Sequence, residues 1–173
     1  MKIFSIISVI LTIFFTAVLF EGIMTSSSTS VSASITIEAP QPVIYNTLKD
    51  VLNYEQWNTL SSGKNFSEKD LTRSAVYNIG TQHISINEKL TILPKENSFL
   101  FAQVDSLPGS FLTDLNNAVS YKGLADGTTE ISWQTSYSIS NITANLINRI
   151  YIKPALKQAL ADNLKSLKEH IEN

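Results

Sequence analysis

Glu88 is the residue of this 173-residue chain whose type and position best suit chemistry. It falls in phase with the alternating apolar residues from Ile84 to Ile92, so in a regular strand its carboxylate would point into the core. Burial raises the pKa of a carboxyl group, which suits it to general acid or base work. We nevertheless favour a bulge or a position beyond the sheet edge for Asn87-Glu88-Lys89, because that arrangement is the simpler one.

Arg73 is the second candidate. It is in phase with Ala75 and Tyr77, and from that face it could pair with Glu88 or with the acidic head of a ligand. A surface arginine at the start of a strand is the more common arrangement, and we favour it here. In an enzyme, Arg73, Glu88 or a tyrosine hydroxyl would orient the substrate.

Large aromatic side chains are the best candidates to line a cavity for a flat hydrophobic ligand, because they combine apolar area with an occasional hydroxyl. Most of them are expected to be ordinary core residues, and a minority to touch a ligand. The candidates are Trp57, Tyr77, Phe99, Phe101, Tyr121, Trp133 and Tyr137.

Other chemistries find little support. The absence of cysteine excludes disulfides, a thiol nucleophile and a cysteine zinc site. His83 and His170 are the only histidines, and we expect His83 to be structural or solvated and His170 to lie on the surface of the last helical turn. We predict no metal and no cofactor. A net charge of -2 without basic runs makes nucleic acid an unsuitable partner.

The amino-terminal segment has the composition of a membrane span. Residues 3–20 carry no charge, and as a helix they would be about 27 Å long, enough to cross the hydrocarbon core. We therefore favour a retained anchor at residues 1–24 over a signal peptide cleaved after Ala33, since that cut would remove the start of the first strand. Lys2 places the amino terminus in the cytoplasm and the domain outside; secretion after cleavage is the alternative.

The rest of the chain predicts an α+β domain over residues 31–173, joined to the anchor by a Ser/Thr linker at 25–30. Strict alternation begins at Val31, and a helix of about ten residues follows Pro42. Residues 61–69 are predicted to form a loop. The later alternating runs bring the total to about six antiparallel strands, and an amphipathic helix kinked or restarted at Pro154 closes the chain.

Three segments carry a resemblance to a known superfamily. Residues 31–40, 124–133 and 156–169 resemble the opening strand, the penultimate hairpin and the closing helix of START-like (SRPBCC) proteins of the polyketide cyclase/dehydrase and lipid-transfer type. This resemblance implies a helix-grip fold, in which a curved sheet wraps around a long carboxy-terminal helix. It also implies a hydrophobic cavity between these layers that binds lipids, sterols, quinones or polyketides. The matching motifs are signatures of fold and not of catalysis.

The leading hypothesis is a membrane-tethered, non-enzymatic START-like domain that holds a hydrophobic small molecule, with the membrane contacted through residues 3–20. Two alternatives stay open. One is an enzyme like the polyketide cyclases, acting on an aromatic or polyketide-like substrate. The other is an interaction module whose cavity is filled by its own side chains.

Overall fold

The computed structural model of the protein describes residues 28–80, 82–105, 112–139 and 142–173. The predicted anchor at residues 1–24 lies outside these ranges. Within the described ranges, no helix has both the length and the apolar character needed to cross a bilayer.

The described strands form one antiparallel sheet in the order β1-β7-β6-β5-β4-β3-β2. Neighbours in sequence from β2 to β7 are neighbours in space, because short turns join antiparallel strands. The strands are Ser28–Ile37 (β1), Ser61–Ser67 (β2), Thr72–Ile79 (β3), Gln82–Leu93 (β4), Ser98–Gln103 (β5), Leu112–Gly123 (β6) and Thr129–Ile139 (β7).

The described residues form seven strands, one more than predicted. The additional strand is β2, which falls in the segment predicted as a loop. Its sequence is polar and contains Gly63, and it lies at the sheet edge with β3 as its only neighbour, so it needs no apolar alternation to pair. A second difference is at β1, which starts at Ser28 instead of Val31, so that part of the predicted linker pairs with β7.

The helices are Gln41–Lys49 (α1), Ile142–Ile147 (α2) and Lys153–Glu172 (α3), with 3₁₀ turns at Val51–Gln56 and Pro94–Glu96 and a π-helical turn at Asn148–Ile152. One face of α3 is buried against the sheet, as its apolar stripe predicts. The residues of that face are Leu156, Leu160, Leu164 and Leu167. The predicted helix-grip arrangement of sheet and long terminal helix is therefore confirmed.

Pro154 occupies the first turn of α3, where its missing N–H costs nothing. The π-helical turn before it keeps helical backbone angles into α3, with φ -68° and ψ -49° at Ile152. Pro154 was predicted to kink the helix or to start a fresh segment. The backbone instead stays helical from the π-helical turn into α3, which begins at Lys153, and the wider turn accommodates the proline.

The π-helical turn and α3 together run along β1. In the π-helical turn, the side chain of Asn148 donates to Thr29 Oγ1 at 3.2 Å. At the end of α3, Lys168 Nζ donates to the carbonyl of Thr36 at 2.8 Å and Glu172 accepts from the backbone N–H of Glu38 at 2.7 Å. β1 begins and β7 ends at the same end of the sheet, which we call the Ser28 end. α2 and the π-helical turn also lie at this end.

Candidate functional site

A row of polar side chains crosses the inner face of the sheet, each in phase with apolar neighbours on its own strand. Arg73 and Glu88 are directly opposite each other on β3 and β4, and Asn117 and Thr135 are directly opposite each other on β6 and β7. All four are buried. Since the inner face is otherwise apolar, these groups must find hydrogen-bond partners among themselves.

Glu88 lies at the centre of this row. Its Oε1 accepts a hydrogen bond from Arg73 Nε at 2.5 Å, and its Oε2 accepts one from the Tyr77 hydroxyl at 2.6 Å. The two charged side chains are 0% and 5% exposed, so this is a buried ion pair. The bulge that we favoured at Glu88 is wrong, because β3 and β4 pair without interruption from Thr72 to Ile79.

The surface location that we favoured for Arg73 is also wrong. Its guanidinium lies over the rings of Tyr54 and Phe101, with 5.3 Å and 5.1 Å from Cζ to the ring centroids. Its Nη2 donates to Ser61 Oγ at 3.4 Å. Gly63 of β2 covers the same side chain, and a Cβ there would lie 3.1 Å from Arg73 Nη1. The glycine of the edge strand therefore leaves room for the arginine.

The buried environment shifts the ionisation of these groups. Burial has the largest single effect on Arg73 and disfavours its charged guanidinium, but the attraction and hydrogen bond of Glu88 and the influence of Tyr77 and Tyr54 together outweigh it, so the pKa of Arg73 is raised. Burial, and then the negative charge of Glu88, raise the pKa of the Tyr77 hydroxyl well above its usual value. Tyr77 is therefore a neutral donor to a charged acceptor.

Asn117 extends the row to the far strands. Its Nδ2 donates to the Tyr77 hydroxyl at 3.0 Å, and its Oδ1 accepts from Thr135 Oγ1 at 2.5 Å and from Trp133 Nε1 at 3.4 Å. The connected groups form what we call the buried polar chain. Its members are Ser61, Arg73, Glu88, Tyr77, Asn117 and Thr135.

Asn117, Thr135 and Ser61 were not among the residues predicted from the sequence. A signal existed for the first two, because Asn117 is in phase with Val119, and Thr135 lies between two aromatics of its own strand. A polar residue in phase with buried ones is the pattern to search for. Ser61 had no such signal, since β2 shows no alternation.

The seven predicted lining aromatics are all buried. Trp57 and Trp133 meet edge to face with ring centroids 6.2 Å apart, and Phe99 and Tyr121 lie 6.2 Å apart. Tyr137 stands apart from the buried polar chain and donates to Asn148 of the π-helical turn at 2.5 Å. Their location on the inner side fits the predicted lining, and their contact with a ligand stays a prediction.

The histidines take no part in this site. His83 is exposed, with Nδ1 2.7 Å from Asn78 Oδ1, as expected for a solvated residue. His170 is exposed beside a surface cleft of about 260 Å³, which confirms its predicted surface location. No group of acidic and histidine side chains in the described part of the chain is arranged to hold a metal ion.

Asn163 of α3 fixes the segment that leads into β2. Its Oδ1 accepts the backbone N–H groups of Thr59 at 2.8 Å and Leu60 at 3.2 Å, which also sets the orientation of its amide. Its Nδ2 is buried and has no acceptor among the described residues. The helix is thus hydrogen-bonded to the loop beside Ser61.

Replacing Asn163 by alanine is expected to lower the free energy of unfolding by about 1 kcal/mol, because the hydrogen bond from the N–H of Thr59 is lost. The N–H of Leu60 keeps a second acceptor, Asn58 Oδ1 at 3.1 Å. Urea unfolding followed by tryptophan fluorescence measures the change. The control is Lys165→Ala on the exposed side of α3, expected within about 0.5 kcal/mol of wild type. Equal stability of the two variants would contradict a fixing role for Asn163.

The structure of this chain is similar to those of several solved proteins, although the sequences have little in common. No protein-family model and no curated protein sequence matches the chain. A protein from Thermus thermophilus shares 14% identity and a TM-score of 0.68 over 83% of this chain and 97% of the other. The Zhui aromatase/cyclase of a Streptomyces species shares 11% identity and a TM-score of 0.62 over 83% and 91%. A START superfamily protein from Mycobacterium smegmatis shares 16% identity and a TM-score of 0.61 over 83% and 97%. At such identities the likeness concerns the fold.

Proposed function

We propose, from the START-like helix-grip fold that this chain shares with these structures, that it is a membrane-tethered domain binding a hydrophobic small molecule between the sheet and α3. The ligand class is an apolar molecule with a polar group, such as a lipid, a quinone or a polyketide. The single observation that carries the proposal is the composition of the inner face, which is aromatic and carries one connected set of polar groups.

This composition suits recognition of such a ligand. Aromatic side chains such as Phe99 and Trp133 give apolar area, and a few fixed polar groups give orientation. The buried polar chain holds its groups in place by hydrogen bonds among themselves, so a ligand would meet a fixed arrangement and would bear a smaller ordering cost. Burying apolar ligand area would contribute about 25 cal/mol per Å² before those costs.

An enzyme is the second candidate, because the similar structures include aromatase/cyclases. The geometry of Glu88 favours a binding role over proton transfer. Both of its carboxylate oxygens already accept hydrogen bonds, from Arg73 and from Tyr77, so a substrate proton would have to displace an internal donor. A general base works best with an oxygen free to reach the substrate.

The tether is proposed from the sequence of residues 3–20, whose uncharged length matches a bilayer. The amino terminus would lie in the cytoplasm and the domain on the outer side, where the tether would keep it close to lipids. Secretion after cleavage of a signal peptide is the alternative, and carbonate-resistant association with membranes separates the two.

The binding proposal predicts that the chain purified from its membrane carries an apolar molecule, detected by organic extraction and mass spectrometry. Val119→Phe is expected to remove it, because residue 119 is fully buried on the inner face and the added volume there would compete with a ligand for room between the sheet and α3. Ser120→Phe, one residue along on the outer face, is the matched control and should keep it. Far-ultraviolet circular dichroism checks that both variants fold. A wild-type chain that carries no apolar molecule would instead support the filled interaction module.

A further inference from the structure

An apolar surface lies on α2 and the π-helical turn at the Ser28 end. Its members are 41% to 72% exposed, whereas isolated domains seldom gather large apolar side chains at one place on the surface. They are Leu146, Ile147, Ile150 and Tyr151. Tyr151 reaches the turn between β3 and β4, where a Cβ on Gly80 would lie 2.7 Å from the tyrosine hydroxyl oxygen. We call these four residues the apolar patch.

Basic side chains border the apolar patch. Arg149, Lys153 and Lys157 are exposed, and the two lysines continue the helical spacing of Leu146 and Ile150. Residues 142–161 contain no aspartate or glutamate. An apolar strip bordered by cations is the composition of a segment that lies on an anionic lipid surface.

The chain enters the domain beside this patch. Ser28 pairs with Ser138 near the end of β7, and Thr29 accepts a hydrogen bond from Asn148 of the π-helical turn. Between the uncharged segment and Ser28 lie residues 21–27, which reach at most about 25 Å when fully extended. A chain anchored through residues 3–20 therefore holds the Ser28 end close to the bilayer.

We propose that the apolar patch and its lysines dock onto the anionic phospholipid surface of the membrane that holds the tether. This inference rests on the proposed membrane tether and adds the orientation of the domain. The Ser28 end faces the lipid, and the opposite end, where the turn between β6 and β7 lies, faces water. The start of α3 and the end of the sheet are then the parts of the ligand-binding layers closest to the lipid.

The test uses the full chain reconstituted in phosphatidylcholine vesicles, with and without phosphatidylglycerol. Because the chain has no cysteine, a single polarity-sensitive fluorophore can be placed on Ile150→Cys. Ala125→Cys, exposed in the turn between β6 and β7, is the matched control. The fluorophore at 150 is expected to shift to the blue and to be quenched by lipid-borne nitroxide in anionic vesicles. The fluorophore at 125 should do neither.

The lysines supply a second readout. Lys153→Gln and Lys157→Gln, both at exposed positions, should each lower the docked-to-undocked ratio in anionic vesicles by about fivefold, the equivalent of one surface cation near anionic lipid. If the chain co-floats with the vesicles but the fluorophore at 150 reports the same aqueous environment as that at 125, the docking is overturned and the tether is not. A chain that does not float overturns the tether, and the docking with it.

Discussion

Replacing Glu88 by alanine is expected to lower the free energy of unfolding by about 3–5 kcal/mol. The substitution leaves the Arg73 guanidinium charged and buried without its counter-ion, and an uncompensated buried charge is among the largest single-residue costs in a protein core. It also removes the acceptor of the Tyr77 hydroxyl, whose other hydrogen bond comes from Asn117. Urea unfolding followed by far-ultraviolet circular dichroism measures the loss.

Two variants separate the ion pair from a general effect of substitution. Glu130→Ala removes an exposed carboxylate from β7 and is expected to stay within about 0.5 kcal/mol of wild type. The double variant Arg73→Met, Glu88→Leu replaces the ion pair by apolar side chains and keeps the Tyr77 hydroxyl as the acceptor of Asn117, and it should recover part of the loss, since such replacements are often neutral or stabilising. A Glu88→Ala protein as stable as Glu130→Ala would show that Arg73 finds another partner or leaves the core.

Raising the pH from about 10 to about 12 is expected to unfold the protein cooperatively. Burial raises the pKa of Tyr137 to about 12, although its hydrogen bond to Asn148 acts in the opposite direction. Burial likewise raises the pKa of Tyr54 and of Tyr77. At a pH between 10.0, the pKa of tyrosine in the unfolded chain, and the higher pKa of the folded chain, the unfolded chain has lost the phenolic proton of Tyr137 and the folded chain keeps it. Stability present below pH 10 therefore falls, by about 1.4 kcal/mol per pH unit for each such tyrosine.

The tyrosinate absorbance that arises from Tyr54, Tyr77 and Tyr137 should appear together with the change in near-ultraviolet circular dichroism, because these buried hydroxyls ionise only when the core opens. Tyr137→Phe is the matched variant and should make the decline of stability with pH shallower by about 1.4 kcal/mol per pH unit. Ionisation of all tyrosines near pH 10 with unchanged near-ultraviolet circular dichroism would contradict the burial of these hydroxyls.

Glu88 shows what sequence periodicity can and cannot predict about a candidate site. The phases of Glu88 and Arg73 allowed inward side chains that could pair, and the structure shows both inside and paired. We favoured a bulge or an edge position for Glu88 and a surface position for Arg73, as the simpler and more common arrangements, and both preferences are wrong. A buried charge is tolerated when its partner is in place, and here the partner lies on a different strand. A pattern read along one strand cannot weigh a contact that depends on strand register.

The edge strand β2 and the contacts around it could not be predicted from the sequence, for a similar reason. β2 pairs with the hydrogen-bonding backbone of β3, and a Cβ at Gly63 would lie 3.1 Å from Arg73 Nη1. Asn163 of α3 meets Thr59 across more than a hundred residues of chain. None of these contacts leaves a periodic trace, since each depends on elements distant in sequence.

The sequence by itself determined the α+β class, the inward face of six strands and the apolar stripe of the closing helix, because alternation and helical spacing record which face is buried. It also determined the uncharged character of residues 3–20. Only the tertiary structure decided that Arg73, Glu88, Tyr77 and Asn117 form one connected set and that the chain enters the domain beside the apolar patch. The physical reason is that the buried face of a strand or helix is recorded in the sequence of that element alone. Which polar side chains meet, and which elements share one end of the sheet, depends on how several elements pack together.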